Sequence, residues 1–134
     1  MTPVVLDTNI VLDLFVFKDP ATSALQQGLQ SGTLQWLSTV EMRSELERVL
    51  AYAHIVPRLA FYRLSAKDVL ALFDQHAQIQ PVAPRAPAVC KDPDDQRFID
   101  LAVTHRAVLL SKDKAVICMK KRLLAHGSIV KSAI

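Results

Sequence analysis

Short apolar runs that end on a turn or capping residue, each followed by a stretch of helical periodicity, recur along this chain. The first is the clearest. Pro3-Val4-Val5-Leu6 is an unbroken run rich in β-branched residues, as suits a strand buried on both faces, and it stops at Asp7-Thr8-Asn9. Leu34–Leu37, Ile79–Val82, Val108–Ser111 and Ser128–Lys131 read as further strands. Between the first two lie an apolar segment, Ile10–Phe17, broken by Asp13, and a helix from about Thr22 to Leu29 that Ser31-Gly32 stops. Val40–Ala53 carries Met42, Leu46, Val49, Leu50 and Ala53 on one helical face. A short helical piece over Arg58–Leu64 precedes Ser65-Ala66-Lys67-Asp68, which resembles a capping box and opens a helix to about Gln78. Pro81, Pro84 and Pro87 stiffen the next connection. Asp92-Pro93-Asp94-Asp95 then starts a helix to about His105, with Asp92 as N-cap and proline at the first helical position. A basic helix follows Asp113 as far as Leu124. Strands alternating with helices make a parallel sheet, because parallel neighbours are joined by crossovers that cover its faces. The expected fold is α/β: one domain over residues 1–134, with a central parallel sheet of about five strands flanked by helices on both faces.

A chain of 134 residues can bury a substantial core, and 51% hydrophobic against 22% charged residues describes a globular protein rather than a disordered one. No apolar run approaches the ~20 residues needed to span a bilayer. No basic region precedes the first apolar stretch, which Asp7 soon interrupts, so a secretory signal is not expected and the cytoplasm is the expected location. Cys90 and Cys118 show neither C-x-x-C spacing nor a neighbouring histidine pair, which disfavours zinc and favours free thiols. A net charge of +3 fits a polyanionic partner without requiring one.

Acidic residues carry the chemical signal. In open parallel sheets, ligands bind beyond the carboxyl ends of the strands. Asp7 follows the first strand and Asp113 closes the fourth, so both fall at that edge, as ligands or as helix caps. Steps of 100° per residue align Asp95 with Phe98, Ile99 and Ala102, turning a carboxylate inward where it needs a partner: a backbone N–H, a basic side chain or a metal. Capping accounts for Asp92. On the helix from Val40, Glu45 borders the apolar stripe, whereas Glu41 and Glu47 project toward solvent. Carboxylates converging without histidine or cysteine define an all-oxygen site, which suits Mg²⁺ or Mn²⁺. No G-x-x-x-x-G-K-[ST] loop, G-x-S-x-G elbow or H-E-x-x-H motif is present, so the reaction classes they serve have no support.

Four segments together resemble the PIN-domain ribonucleases: Val4-Val5-Leu6-Asp7-Thr8-Asn9, Glu45-Leu46 with Val49-Leu50, Asp92-Pro93-Asp94-Asp95 before Phe98-Ile99, and Leu109-Leu110-Ser111-Lys112-Asp113. The resemblance covers essentially the whole chain, and the nearest branch is similar to the toxins of bacterial toxin–antitoxin modules, related to VapC. It implies a Mg²⁺- or Mn²⁺-dependent endoribonuclease with Asp7, Glu45, Asp95 and Asp113 as catalytic and metal-binding acids. Glu41 stands in reserve for Glu45, and Thr8, Asn9 and Ser111 are supporting polar residues. It also implies neighbouring first and fourth strands, so that Asp7 meets Asp113, and a cognate antitoxin and a homodimer as protein partners.

Lys112, Lys114, Lys120, Lys121 and Arg122 crowd near the fourth acid, where they would grip RNA phosphates or merely form a solvated basic face. Trp36 and Tyr52 read as core or interface residues, and the four histidines show no ligand spacing. Phe15, Phe17, Phe61, Tyr62, Leu64 and Leu70 exceed what a lone small domain needs, consistent with a homodimer and a groove for an antitoxin helix. Two alternatives stay open: a housekeeping nuclease of RNA processing, and a degenerate fold that only binds RNA or a protein.

Overall fold

Val4, Val5 and Leu6 are almost wholly buried in the computed structural model, which describes residues 1–134, and they lie on the central strand of a five-stranded parallel sheet. The strands are β1 (Thr2–Leu6), β2 (Leu34–Ser38), β3 (Ala77–Ile79), β4 (Val108–Leu110) and β5 (Val130–Lys131), in the order β3-β2-β1-β4-β5. Successive side chains of a strand point to opposite faces, so each strand serves two cores. Val4, Leu6, Trp36 and Leu110 face one; Val5, Leu37, Leu109 and Val130 face the other.

The first core is roofed by α1 (Thr8–Phe15), α2 (Ser23–Ser31), α3 (Val40–Leu50), α4 (Val56–Phe61) and α5 (Ala66–His76). At its centre Trp36 stands edge-on to Phe73, with ring centroids 5.0 Å apart. The second core is covered mainly by α6 (Gln96–His105), α7 (Lys114–Ile117) and α8 (Lys120–Ala125). Both faces are therefore occupied, as the sequence pattern requires. No helix is long and apolar enough to cross a membrane.

Chain order moves outward from β1 through β2 to β3, then returns to the other side of β1 for β4 and β5. The reversal leaves a crevice between the carboxyl ends of β1 and β4, the usual ligand position in such sheets. Backbone pairing runs through it: the Asp7 N–H donates to the Leu110 carbonyl at 3.1 Å.

Several expected boundaries move. β3 is Ala77–Ile79 rather than Ile79–Val82, and α5 stops at His76 rather than Gln78. The Gln80 N–H makes a bond of 2.8 Å to Ser38, and Pro81 has no N–H with which to continue the ladder, so pairing ends before the residues expected to form the strand. The expected capping box at Ser65 forms, with Asp68 completing it. α3 stops at Leu50 rather than Ala53, as the N–H groups of Ala51 and Tyr52 turn back three residues to Arg48 and Val49. The short piece expected over Arg58–Leu64 is Val56–Phe61, with Pro57 in its first turn, where a missing N–H costs nothing. The basic helix expected after Asp113 is two helices, separated where the Met119 N–H bonds back three residues to Val116.

Leu46 anchors α3 and is 2% exposed, whereas Val40 on the same helix is 60% exposed. Leu46→Ala is expected to destabilise the protein by ~2–5 kcal/mol in denaturant unfolding, and Val40→Ala by no more than ~0.5 kcal/mol.

Candidate metal centre

Asp7 follows the last residue of β1 and caps α1: one carboxylate oxygen accepts the Ile10 N–H at 3.0 Å and the other accepts the Ser111 hydroxyl. Burial pushes its carboxyl above the ordinary carboxylate range; the two hydrogen bonds oppose that shift, and the charges of Asp113 and Asp13 add to it. Ser111, fully buried just beyond β4, also accepts the Asp113 N–H at 3.1 Å. Asp113 in turn caps α7 through the Ala115 N–H at 2.9 Å. One hydroxyl thus ties together the acids that end β1 and follow β4.

The next segment reaches this edge through a 3-10 turn, Pro93–Asp95, that leads into α6. The sequence suggests one helix from Asp92; the tighter first turn matters because side chains three residues apart nearly eclipse in 3-10 geometry. Asp92 and Asp95 are so related. One ligand oxygen from each of Asp92, Asp95 and Asp113 lies within 4.8 Å of the other two. Asp95 keeps a buried oxygen, Oδ2, to which no N–H or hydroxyl donates. Its carboxyl is pushed up to about 7, first by burial, then by the charges of Asp113 and Asp92, by hydrogen bonding with the Asp113 carboxylate and by the charge of Asp7.

Glu45 approaches from α3 and accepts the hydroxyl of Thr8, the residue after Asp7. Glu41 instead lines a shallow cleft with Thr39, Arg97 and Asp100, so Glu45 is the glutamate directed at the crevice. Asp7 and Glu45 do not belong to the tightest trio; hydrogen bonds through Ser111 and Thr8 link them to its surroundings. Asn9 is exposed. Lys114, Lys120, Lys121 and Arg122 are exposed as well, while Lys112 pairs with Asp13.

Three features escaped sequence reasoning. Asp92 acts as a cap, its Oδ1 accepting the Asp94 N–H at 3.0 Å, yet it also joins the acidic trio; its spacing of three from Asp95 was the available signal. Gln96 is buried and stitches the loop before Asp92 to α6, accepting the Cys90 N–H at 2.7 Å and donating to the Ala88 carbonyl at 3.0 Å. Asp100 adds the Ala86 N–H at 2.8 Å. A glutamine in a helix carries no periodic signature of such a role.

The donor set fits a hard divalent cation. All three clustered groups are carboxylates, they repel one another, and one presents a buried oxygen that nothing else satisfies. A family model described as PIN domain matches residues 3–115, a span that contains every one of these acids. The chain belongs to the PIN-domain family. PIN domains are generally nucleases and typically use divalent metals. No curated protein matches the chain closely enough to add to this.

The raised carboxyls give a pH signature. An acid that titrates at about 7 when folded and near 3.8 when unfolded leaves the folded state holding more protons between those values, so stability falls as pH rises through that window. Asp7 shifts in the same direction. Without metal, the melting temperature is expected to fall between pH 5 and pH 8, and Asp95→Asn to flatten much of that fall. At pH 8, Mn²⁺ should raise the melting temperature of the wild type more than that of Asp95→Asn; equal rises would show that Asp95 does not contribute to metal binding.

Proposed function

We propose that this PIN domain is a metal-dependent endoribonuclease that hydrolyses RNA phosphodiester bonds, with Asp7, Glu45, Asp95 and Asp113 as its catalytic and Mg²⁺- or Mn²⁺-binding acids and Asp92 as an added ligand. The observation that carries this reading is the convergence of carboxylates from β1, α3, the turn before α6 and the end of β4 on one crevice. Divalent cations held there would supply Lewis acidity toward a phosphodiester and an activated water. The chain's own contribution is orientation and charge. Ser111 and the Ile10 N–H aim Asp7, Thr8 aims Glu45, and the 3-10 turn presents Asp92 and Asp95 side by side. Asp95, whose carboxyl is pushed up to about 7, would have to be deprotonated to serve as a ligand. No serine, cysteine or histidine is needed as nucleophile.

The exposed Lys114, Lys120, Lys121 and Arg122 supply sequence-independent contacts to RNA phosphates. In this reading the protein is the cytoplasmic toxin of a toxin–antitoxin pair and works as a homodimer. Two surface features support partners of that kind. A cleft of about 380 Å³, floored by Leu14, Phe15, Leu29 and Leu72 and edged by Lys18, glutamines and His76, suits an amphipathic antitoxin helix. Phe61, 80% exposed beside a partly exposed Tyr62, suits a subunit contact; Leu70, by contrast, is spent in the core.

Cleavage of single-stranded RNA is expected in Mg²⁺ or Mn²⁺ and not in excess chelator. Asp7→Asn and Asp113→Asn should each lower the rate by at least about a hundredfold. Equal rates for wild type and Asp7→Asn would rule the mechanism out.

A further inference from the structure

α1 is buried along most of its length, and Ile10, Val11, Leu12, Leu14 and Phe15 explain why. Asp13 sits among them. Its side chain is 12% exposed, and a carboxylate so placed is costly unless it is paired. The partner is Lys112, which lies in sequence between Ser111 and Asp113, the two residues that close the carboxylate crevice. The lysine side chain is half exposed, and the charges of Asp19 and Asp7 join Asp13 in favouring its protonated form. An ammonium has three N–H donors, so pairing with Asp13 leaves others free on a half-exposed side chain that also feels the charge of Asp7.

We infer that Asp13 is a positioning residue: it holds the Lys112 ammonium at the mouth of the carboxylate crevice, where that ammonium takes a phosphate of the bound strand. The inference rests on the nuclease reading for its substrate. Stability alone does not account for the pair, since an ion pair whose lysine is half exposed contributes little. Electrostatics does. Asp7, Glu45, Asp92, Asp95 and Asp113 together repel a polyanion, and a fixed ammonium adds to what bound divalent ions offset for a strand entering the crevice. Lys114, Lys120, Lys121 and Arg122 are exposed and form no ion pair, so each must give up rotamer freedom to hold a phosphate. Asp13 has imposed that order on Lys112 before RNA arrives.

The test measures anisotropy of a labelled short single-stranded RNA, phosphorothioate-substituted to slow cleavage, in Mg²⁺ across a salt series. Melting temperatures and cleavage of ordinary RNA are recorded for the same proteins. Lys112→Ala is expected to weaken binding about tenfold and to reduce the slope of log affinity against log salt by ~0.7. Lys112→Arg should keep the wild-type slope and most of the affinity. Asp13→Leu should weaken binding about fivefold with an unchanged slope and no loss in melting temperature, because the charge stays but its order is lost. Wild-type binding by either Lys112→Ala or Asp13→Leu overturns the inference, as does a wild type that does not bind the oligonucleotide. Affinity lost only in step with folded fraction overturns it too. If wild type cleaves while these variants bind normally, the nuclease reading stands without the positioning pair. If binding depends on both residues but nothing is cleaved, the pair stands and the nuclease reading fails.

Discussion

The Ser111 hydroxyl lies between two acids that come from opposite ends of the chain, donating to Asp7 and accepting from the Asp113 backbone N–H. It is fully buried, so its bond to Asp7 is shielded from water, and the partners are placed by the pairing of β1 with β4. The candidate metal centre is arranged around that junction. The reversal of strand order opens the crevice there, two helices start there with aspartate caps, and the 3-10 turn before α6 delivers two more carboxylates to it. A sheet with another strand order would leave Asp7 and Asp113 as ordinary caps.

Gathering acids in this way opposes stability, and the structure shows how the cost is contained. Asp7 has both oxygens hydrogen-bonded, and Asp13 has a lysine. Asp95 retains the cost as a carboxyl shifted to about 7, with one buried oxygen left unsatisfied. Gln96 and Asp100 hold the approaching loop so that the turn cannot swing away to relieve the repulsion. Local destabilisation supported by surrounding hydrogen bonds is the usual mark of a site kept for function.

The parts of this design written in local patterns could be read from the sequence. The β-branched run before Asp7, the Asp92-Pro93 helix start and the Ser65 capping box each follow from the chemistry of a few adjacent residues, and each appears in the structure. Asp7, Asp95 and Asp113 were legible because strand ends and helical angle place them. The third strand was misplaced because its position depends on where β2 runs out of partners and on a proline that interrupts the ladder. Asp92 was hidden because a residue that caps a turn can also join a cluster. Asp13, by sequence merely a break in an apolar helix, acquires meaning only when tertiary packing brings Lys112 beside it.

The proposed chemistry requires that these carboxylates hold a divalent ion. Crystals of the wild-type protein grown with Mn²⁺ and measured near the manganese absorption edge test that directly. An anomalous peak bounded by Asp92, Asp95 and Asp113, with Asp7 and Glu45 in its surroundings, is the predicted result. A map with no peak in the crevice at saturating Mn²⁺, or with its only peak elsewhere on the molecule, would contradict the central claim.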